Sequence, residues 1–254
     1  MESDLSSPPM IAEALACSAD DACVAQTAGV QRLEICSAIL VGGLTPSIGT
    51  FNAIRDVCSL QLMAMVRPRP SGFLYTALEF RAMLNDATAL IDAGADGIVF
   101  GVLDDSAEID VARCKLLVER AKGKQTVFHR AFDAVRDPQF ALETLISLGV
   151  TRVLTSGQAP TALQGADLIR ELIELADGRI EILVGGGVRP ETVNEIVTRT
   201  GAKQVHLGPF LPQSDHSLDS SPTAASTYGG TYPVVDEQSL SRVVKNLKEF
   251  QATT

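Results

Sequence analysis

The chain has 254 residues, 46% of them hydrophobic and 20% charged, with no tryptophan and 5% aromatics. Such a composition suits one aliphatic α/β domain whose parallel sheet is covered on both faces. A net charge of −10 without a basic stripe argues against nucleic acid as a partner, and no window nears the roughly 18 apolar residues of a membrane span.

Residues Met1 to Pro9 carry Glu2 and Asp4 and lack the basic and apolar regions of a signal peptide. The expectation is a disordered tail over 1–9, one domain over 10–254 and a cytoplasmic location. Five cysteines at irregular spacing, with no CxxC pair, fit a reducing compartment and no structural zinc site.

The first predicted strand, Ala12–Ala16, ends at Cys17. Ala28-Gly29-Val30 then precedes a strand over Arg32–Cys36, in which Glu34 and Cys36 share a face because strand side chains alternate. The third strand, Gln61–Val66, ends at Arg67 and is followed by Pro68-Arg69-Pro70. Ala93-Gly94-Ala95 introduces Gly97–Phe100. The fifth strand, Thr126–Phe128, runs into His129, Arg130 and Asp133. Leu148-Gly149-Val150 introduces Arg152–Thr155, followed by Ser156. Ile180–Val184 ends in Gly185-Gly186-Gly187, and Thr200-Gly201-Ala202 introduces Gln204–Leu207, with His206 near its end.

The recurring small-Gly-small phrase reads as a left-handed helix cap turning the chain back into a sheet. Apolar residues at three- and four-residue spacing predict helices over Glu79–Ile91, Ile109–Arg120, Gln139–Leu148 and Ala162–Leu175, with Pro138 and Pro190 as first-turn prolines. Eight strands alternating with helices predict a (β/α)8 TIM barrel, with a doubly wound open sheet as the alternative. Residues 209–235, rich in Ser, Pro, Thr and Gly, read as an irregular loop over the mouth, either a functional lid or disordered, and a non-catalytic scaffold that binds a partner through this loop is a further reading.

Active sites of such barrels lie where the C-terminal ends of the strands meet. Here nearly every strand ends in a polar residue on that rim, whereas the opposite rim reads as small residues and glycine. Three chemistries follow. Cys17, Cys36 and His206 on neighbouring strands could hold a soft metal ion, although unpaired cysteines commonly serve as small hydrophobes. Cys23, Cys58 and Cys114 fall in helical stretches and read as packing. Glu34, His129 and Asp133 could perform acid–base catalysis on a small anionic metabolite, with Arg67 and Arg130 binding the anion and Thr155 and Ser156 beside them; a structural ion-pair layer is the alternative. The glycine triplet 185–187 could receive a phosphate through its backbone, or simply allow close packing.

Seven segments in order resemble the CutC copper homeostasis family. They are Arg32-Leu33-Glu34-Ile35-Cys36, Gly42-Gly43-Leu44-Thr45-Pro46-Ser47, Val66-Arg67-Pro68-Arg69, Gly94 to Gly101, Phe128 to Asp133, Arg152 to Gly157 and Gly185-Gly186-Gly187. The resemblance spans about Ala14 to His206. It implies a (β/α)8 barrel, self-association as a dimer or tetramer, and handling of cytosolic copper with Cys17 and Cys36 as Cu(I) ligands. The chain departs from the family pattern at Pro70-Ser71-Gly72 and Leu207-Gly208-Pro209, both at the mouth.

Overall fold

Along β1 (Ile11–Ala16) the side chains alternate between two environments. Ala12, Ala14 and Ala16 pack outward against helices, while Glu13 and Leu15 point into a closed interior. The same alternation governs β2 (Arg32–Ile35), β3 (Gln61–Met65), β4 (Gly97–Phe100), β5 (Gln125–Phe128), β6 (Arg152–Thr155), β7 (Glu181–Val184) and β8 (Gln204–Leu207). All eight are parallel, and β8 pairs back onto β1 to close a barrel. The computed structural model describes residues 9–253, so the first eight residues of the expected tail lie outside the description.

Two apolar clusters follow from the alternation. The larger joins the outward faces of the strands to the surrounding helices, and the smaller fills the barrel with Cys36, Met63, Met65, Val99, Val127, Leu154 and Leu183. Burial on both faces explains why the strands read as continuous apolar runs. Gly29, Gly94, Gly149 and Gly201 all adopt positive φ at αβ junctions, the conformation that glycine reaches without a Cβ penalty.

Local differences from the sequence reading have local causes. Pro138 does open its helix, Pro138–Ser147, over an Asp137 cap. Pro190 instead lies in a turn ahead of the helix Val193–Thr200. The stretch 209–235, expected to be irregular, carries an antiparallel ribbon of β9 (Phe210–Ser214) and β10 (Thr231–Val235), with a short helix, Pro222–Tyr228, between them. Pro212 and Pro233 face each other in that ribbon. A two-stranded ribbon has free edges that tolerate the missing N–H, which is why prolines concealed these strands. Val235 N donates to Asp21 Oδ1 while Cys17 N donates to Asp21 Oδ2, so one buried carboxylate ties the ribbon beside the first strand. Among the described residues no helix is long and apolar enough to cross a membrane.

Candidate functional site at the barrel mouth

The lower barrel is filled by charge, contrary to the expectation of small residues there. Arg32 pairs with Glu13 and donates to Gln204 Oε1 at 2.7 Å. Arg152 donates to Glu181 at 2.7 Å, to Gln204 at 3.1 Å and to Gln125 at 3.1 Å. Both guanidiniums are 2% exposed. Charges so deeply buried persist only when paired, and both are, although Arg152 Nη1 has no hydrogen-bond partner among the described residues. The signal was present in the sequence, since six of the strands open on or near a long polar residue.

Above this layer lies a cavity of about 400 Å³. Glu34, Arg67, His129, Arg130 and His206 line it, together with Gly186, Gly187 and Arg189 after β7. His206 Nδ1 stands 2.8 Å from Glu13 Oε1 and 3.9 Å from Glu34 Oε2. Burial raises the Glu34 carboxyl to about 7. Burial opposes the charged form of Glu13 too, yet Arg32 and His206 hold it at about 2. Burial likewise works against a charged His206, but the Glu13 hydrogen bond and the two carboxylates raise it above its ordinary value.

His129 accepts from Ala131 N through Nδ1 at 3.1 Å, and its ring lies 5.0 Å from that of Phe73. Burial, then the Arg67 charge, lowers its pKa to about 3. A neutral ring accepting at Nδ1 carries its proton on Nε2, so His129 offers a donor and holds no second proton near neutrality. Arg67 spends its terminal nitrogens on the carbonyls of Val41, Gly43 and Ser71, leaving Nε. Three buried polar atoms of lining residues, Glu34 Oε2, His129 Nε2 and Arg67 Nε, have no hydrogen-bond partner among the described residues. Buried polar groups are nearly always satisfied, so three orphans on one cavity point to a ligand.

Asp133 is engaged elsewhere. Its carboxylate accepts from Thr155 Oγ1 at 2.5 Å, Ser156 Oγ at 2.9 Å, the Ser156 and Gln158 amides, and Arg130 Nε at 2.7 Å. Asp133, Thr155 and Ser156 therefore clasp the ends of β5 and β6 and lie outside the cavity lining. Gly185 is also outside the lining. A Cβ there would approach Leu154 Cδ1 to 2.7 Å, and one on Gly186 would approach Ser156 Cβ to 2.8 Å, so close packing accounts for both. Arg189 is the cation that sequence reasoning passed over. It is exposed at the cavity rim, and its position two residues after the glycine run was the available clue.

The thiols form a separate pair. Cys17 Sγ and Cys36 Sγ are 3.7 Å apart. Cys36 is wholly buried, whereas Cys17 borders a groove between the first helix and the ribbon. The Cys36 S–H holds the Cys17 thiol below its usual range, and the same bond followed by burial pushes Cys36 up. Cys58 and Cys114 are buried as expected, but Cys23, also read as packing, is exposed.

A closed eight-stranded barrel with a polar cavity at the C-terminal ends of its strands defines the general class. Residues 10–210 match the CutC family profile, and the chain belongs to the CutC family. A family protein CutC of Treponema denticola is 45% identical over 242 residues, covering 92% of this chain and 98% of that one. Its counterpart in Bacteroides fragilis is 39% identical over 231 residues, 90% and 91% of the two chains. The crystal structure of the Streptococcus agalactiae CutC, whose description assigns it provisionally to copper homeostasis, superposes with a TM-score of 0.75 at 33% identity. That match covers 78% of this chain and 98% of that one. Phosphoribosylanthranilate isomerase of Thermotoga maritima has a TM-score of 0.57 at 11% identity, covering 94% and 99%, a likeness of fold alone.

Proposed function

We propose that this protein serves copper homeostasis in the cytosol by binding Cu(I) through Cys17 and Cys36. The observation that carries this reading is the 3.7 Å separation of the two sulfurs, each on the residue just past the end of one of two adjacent strands. Two thiols offer a soft donor set suited to Cu(I), and the half-buried Cys17 gives an entry side. The description of the Streptococcus agalactiae relative supports the same assignment. Anaerobic titration of Cu(I) against a chromophoric chelator tests it. One ion per chain is expected, lost in the C17S/C36S double variant; undiminished binding by that variant overturns the reading. Self-association as a dimer or tetramer belongs to this proposal and finds support in the exposed Leu40, Val41, Leu211 and Tyr232. Light scattering on the purified protein checks it.

A second reading rests on the three orphan polar atoms of the mouth: a site for acid–base chemistry on a small anionic metabolite, with phosphorylated compounds among the candidates. Glu34 supplies an exchangeable proton near neutrality, His129 Nε2 donates to an oxygen, and Arg189 and Arg130 attract the anion. A thermal-shift screen of phosphorylated and carboxylated metabolites tests this reading. Stabilisation that R189A and H129A reduce is expected, and no stabilisation by any anion overturns it.

A further inference from the structure

Glu13, Glu34 and His206 reach one point from β1, β2 and β8, three strands made neighbours only by closure of the barrel. One ligand atom from each lies within 4.8 Å of the others, and all three side chains are buried or nearly so. We propose that these residues form a binding site for a divalent cation at the floor of the mouth cavity, distinct from the thiol pair.

Three features carry the inference. Glu34 is 2% exposed, and its Oε2, which accepts no hydrogen bond among the described residues, faces the His206 ring at 3.9 Å. A buried carboxylate oxygen with no donor calls for a cation or a proton. The spacing also suits a metal ion. Ligand atoms about 2.1 Å from a tetrahedral ion stand about 3.4 Å apart. The observed 2.8 Å and 3.9 Å straddle that value, and the third side is within 4.8 Å, so shifts of about an ångström complete the set. Finally, the surroundings are those of a supported site. Arg32 holds the other oxygen of Glu13, and Gln204 holds Arg32. Outer partners of this kind fix the orientation of ligating carboxylates.

Two carboxylates and one imidazole form a harder donor set than two thiols. They select Zn(II) or Mn(II) over Cu(I). Glu34 and His206 both line the cavity, so a further coordination position opens toward it. An oxygen of a small oxyanion could take that position, with Arg189 above it at the rim. The ion then polarises the bound oxygen as a Lewis acid.

The thiol-free C17S/C36S protein isolates this site from the copper proposal. Calorimetry with Zn(II), and separately Mn(II), is expected to give one bound ion per chain. E34Q and H206N, each built on that background, should weaken binding by about ten-fold or more, while H216N, at the exposed His216–Asp219 pair, should leave it unchanged. Co(II) provides a second readout: a visible d–d spectrum in the thiol-free protein that E34Q alters. Thermal melts verify that each variant is folded, and having two ligand variants guards against loss of one. Absence of binding by the folded thiol-free protein at millimolar metal overturns the proposal. So does binding that neither E34Q nor H206N changes. Either result leaves the Cu(I) titration of the thiol-intact protein to be judged separately.

Discussion

Cys17 Sγ stands 3.7 Å from Cys36 Sγ across the seam between the first two strands. A disulfide needs its sulfurs about 2.05 Å apart, so a small movement joins them. Diamide, which is reduced as two thiols lose their hydrogens, should close this bond. Peptide mapping should find Cys17 linked to Cys36, with Cys58 and Cys114 still free, and Cu(I) loaded beforehand should protect the pair. A disulfide map lacking that link would contradict the pairing.

Arg32 and Glu13 are each almost fully buried and face one another inside the barrel. Removing one partner strands the other charge. Arg32→Met should lower stability by about 3–5 kcal/mol in urea titrations. The double variant R32M/E13Q should recover part of that loss, because the Glu13 charge is removed along with its Arg32 partner. A double variant as unstable as the sum of the two singles would show that the charges are not coupled.

Two of the buried titratable groups at the mouth, His129 and Glu34, impose opposite pH dependences. For His129 the pKa falls from 6.5 unfolded to about 3 folded. Its contribution is therefore complete above 6.5 and is lost as the pH falls toward 3, because only the unfolded chain takes up the proton. The loss is of order several kcal/mol. His129→Asn should flatten this acid limb. An equally steep limb in the variant would place its origin elsewhere.

Glu34 works in the other direction. Its carboxyl moves from 4.5 to about 7 on folding. The stability it contributes is present below 4.5 and is lost as the pH rises through about 7, when a buried carboxylate must ionise. In metal-free protein, E34Q should abolish this decline and be relatively more stable at pH 8 than at pH 4. The ratio of stabilities at those two pH values checks the sign.

Asp133 should behave as a structural clasp. Asp133→Ala strands Thr155 Oγ1 and the Ser156 amide together, both buried. A cost of about 2–4 kcal/mol is expected, with Asp133→Asn losing less. Anion stabilisation measured as a shift over each variant's own melting temperature should persist. Its disappearance in folded Asp133→Asn would move Asp133 into the ligand site.

Much of the barrel was legible in the sequence for local reasons. A left-handed glycine at each αβ junction and apolar runs buried on both faces are properties of short segments. Glu34, His129, Arg67 and His206 could be placed at the mouth because each sits at the end of such a segment. Prolines masked β9 and β10, since their strand pattern depends on a free edge rather than on residue type. Glu13 went unread as a site residue because it precedes an alanine-rich strand end and its partners are remote.

By itself, the sequence determined the eight-fold alternation of strand and helix, the shared face of Glu34 and Cys36, and the polar character of the mouth. Those follow from a period of two and from caps a few residues long. Only the tertiary structure decided which polar groups meet. His206 reaches Glu13 across 193 residues and Arg32 reaches Gln204 across 172. Those meetings depend on closure of the sheet and on strand register, which no local pattern encodes. The same closure separates Asp133, saturated by its neighbours, from Glu34, whose Oε2 accepts no hydrogen bond among the described residues.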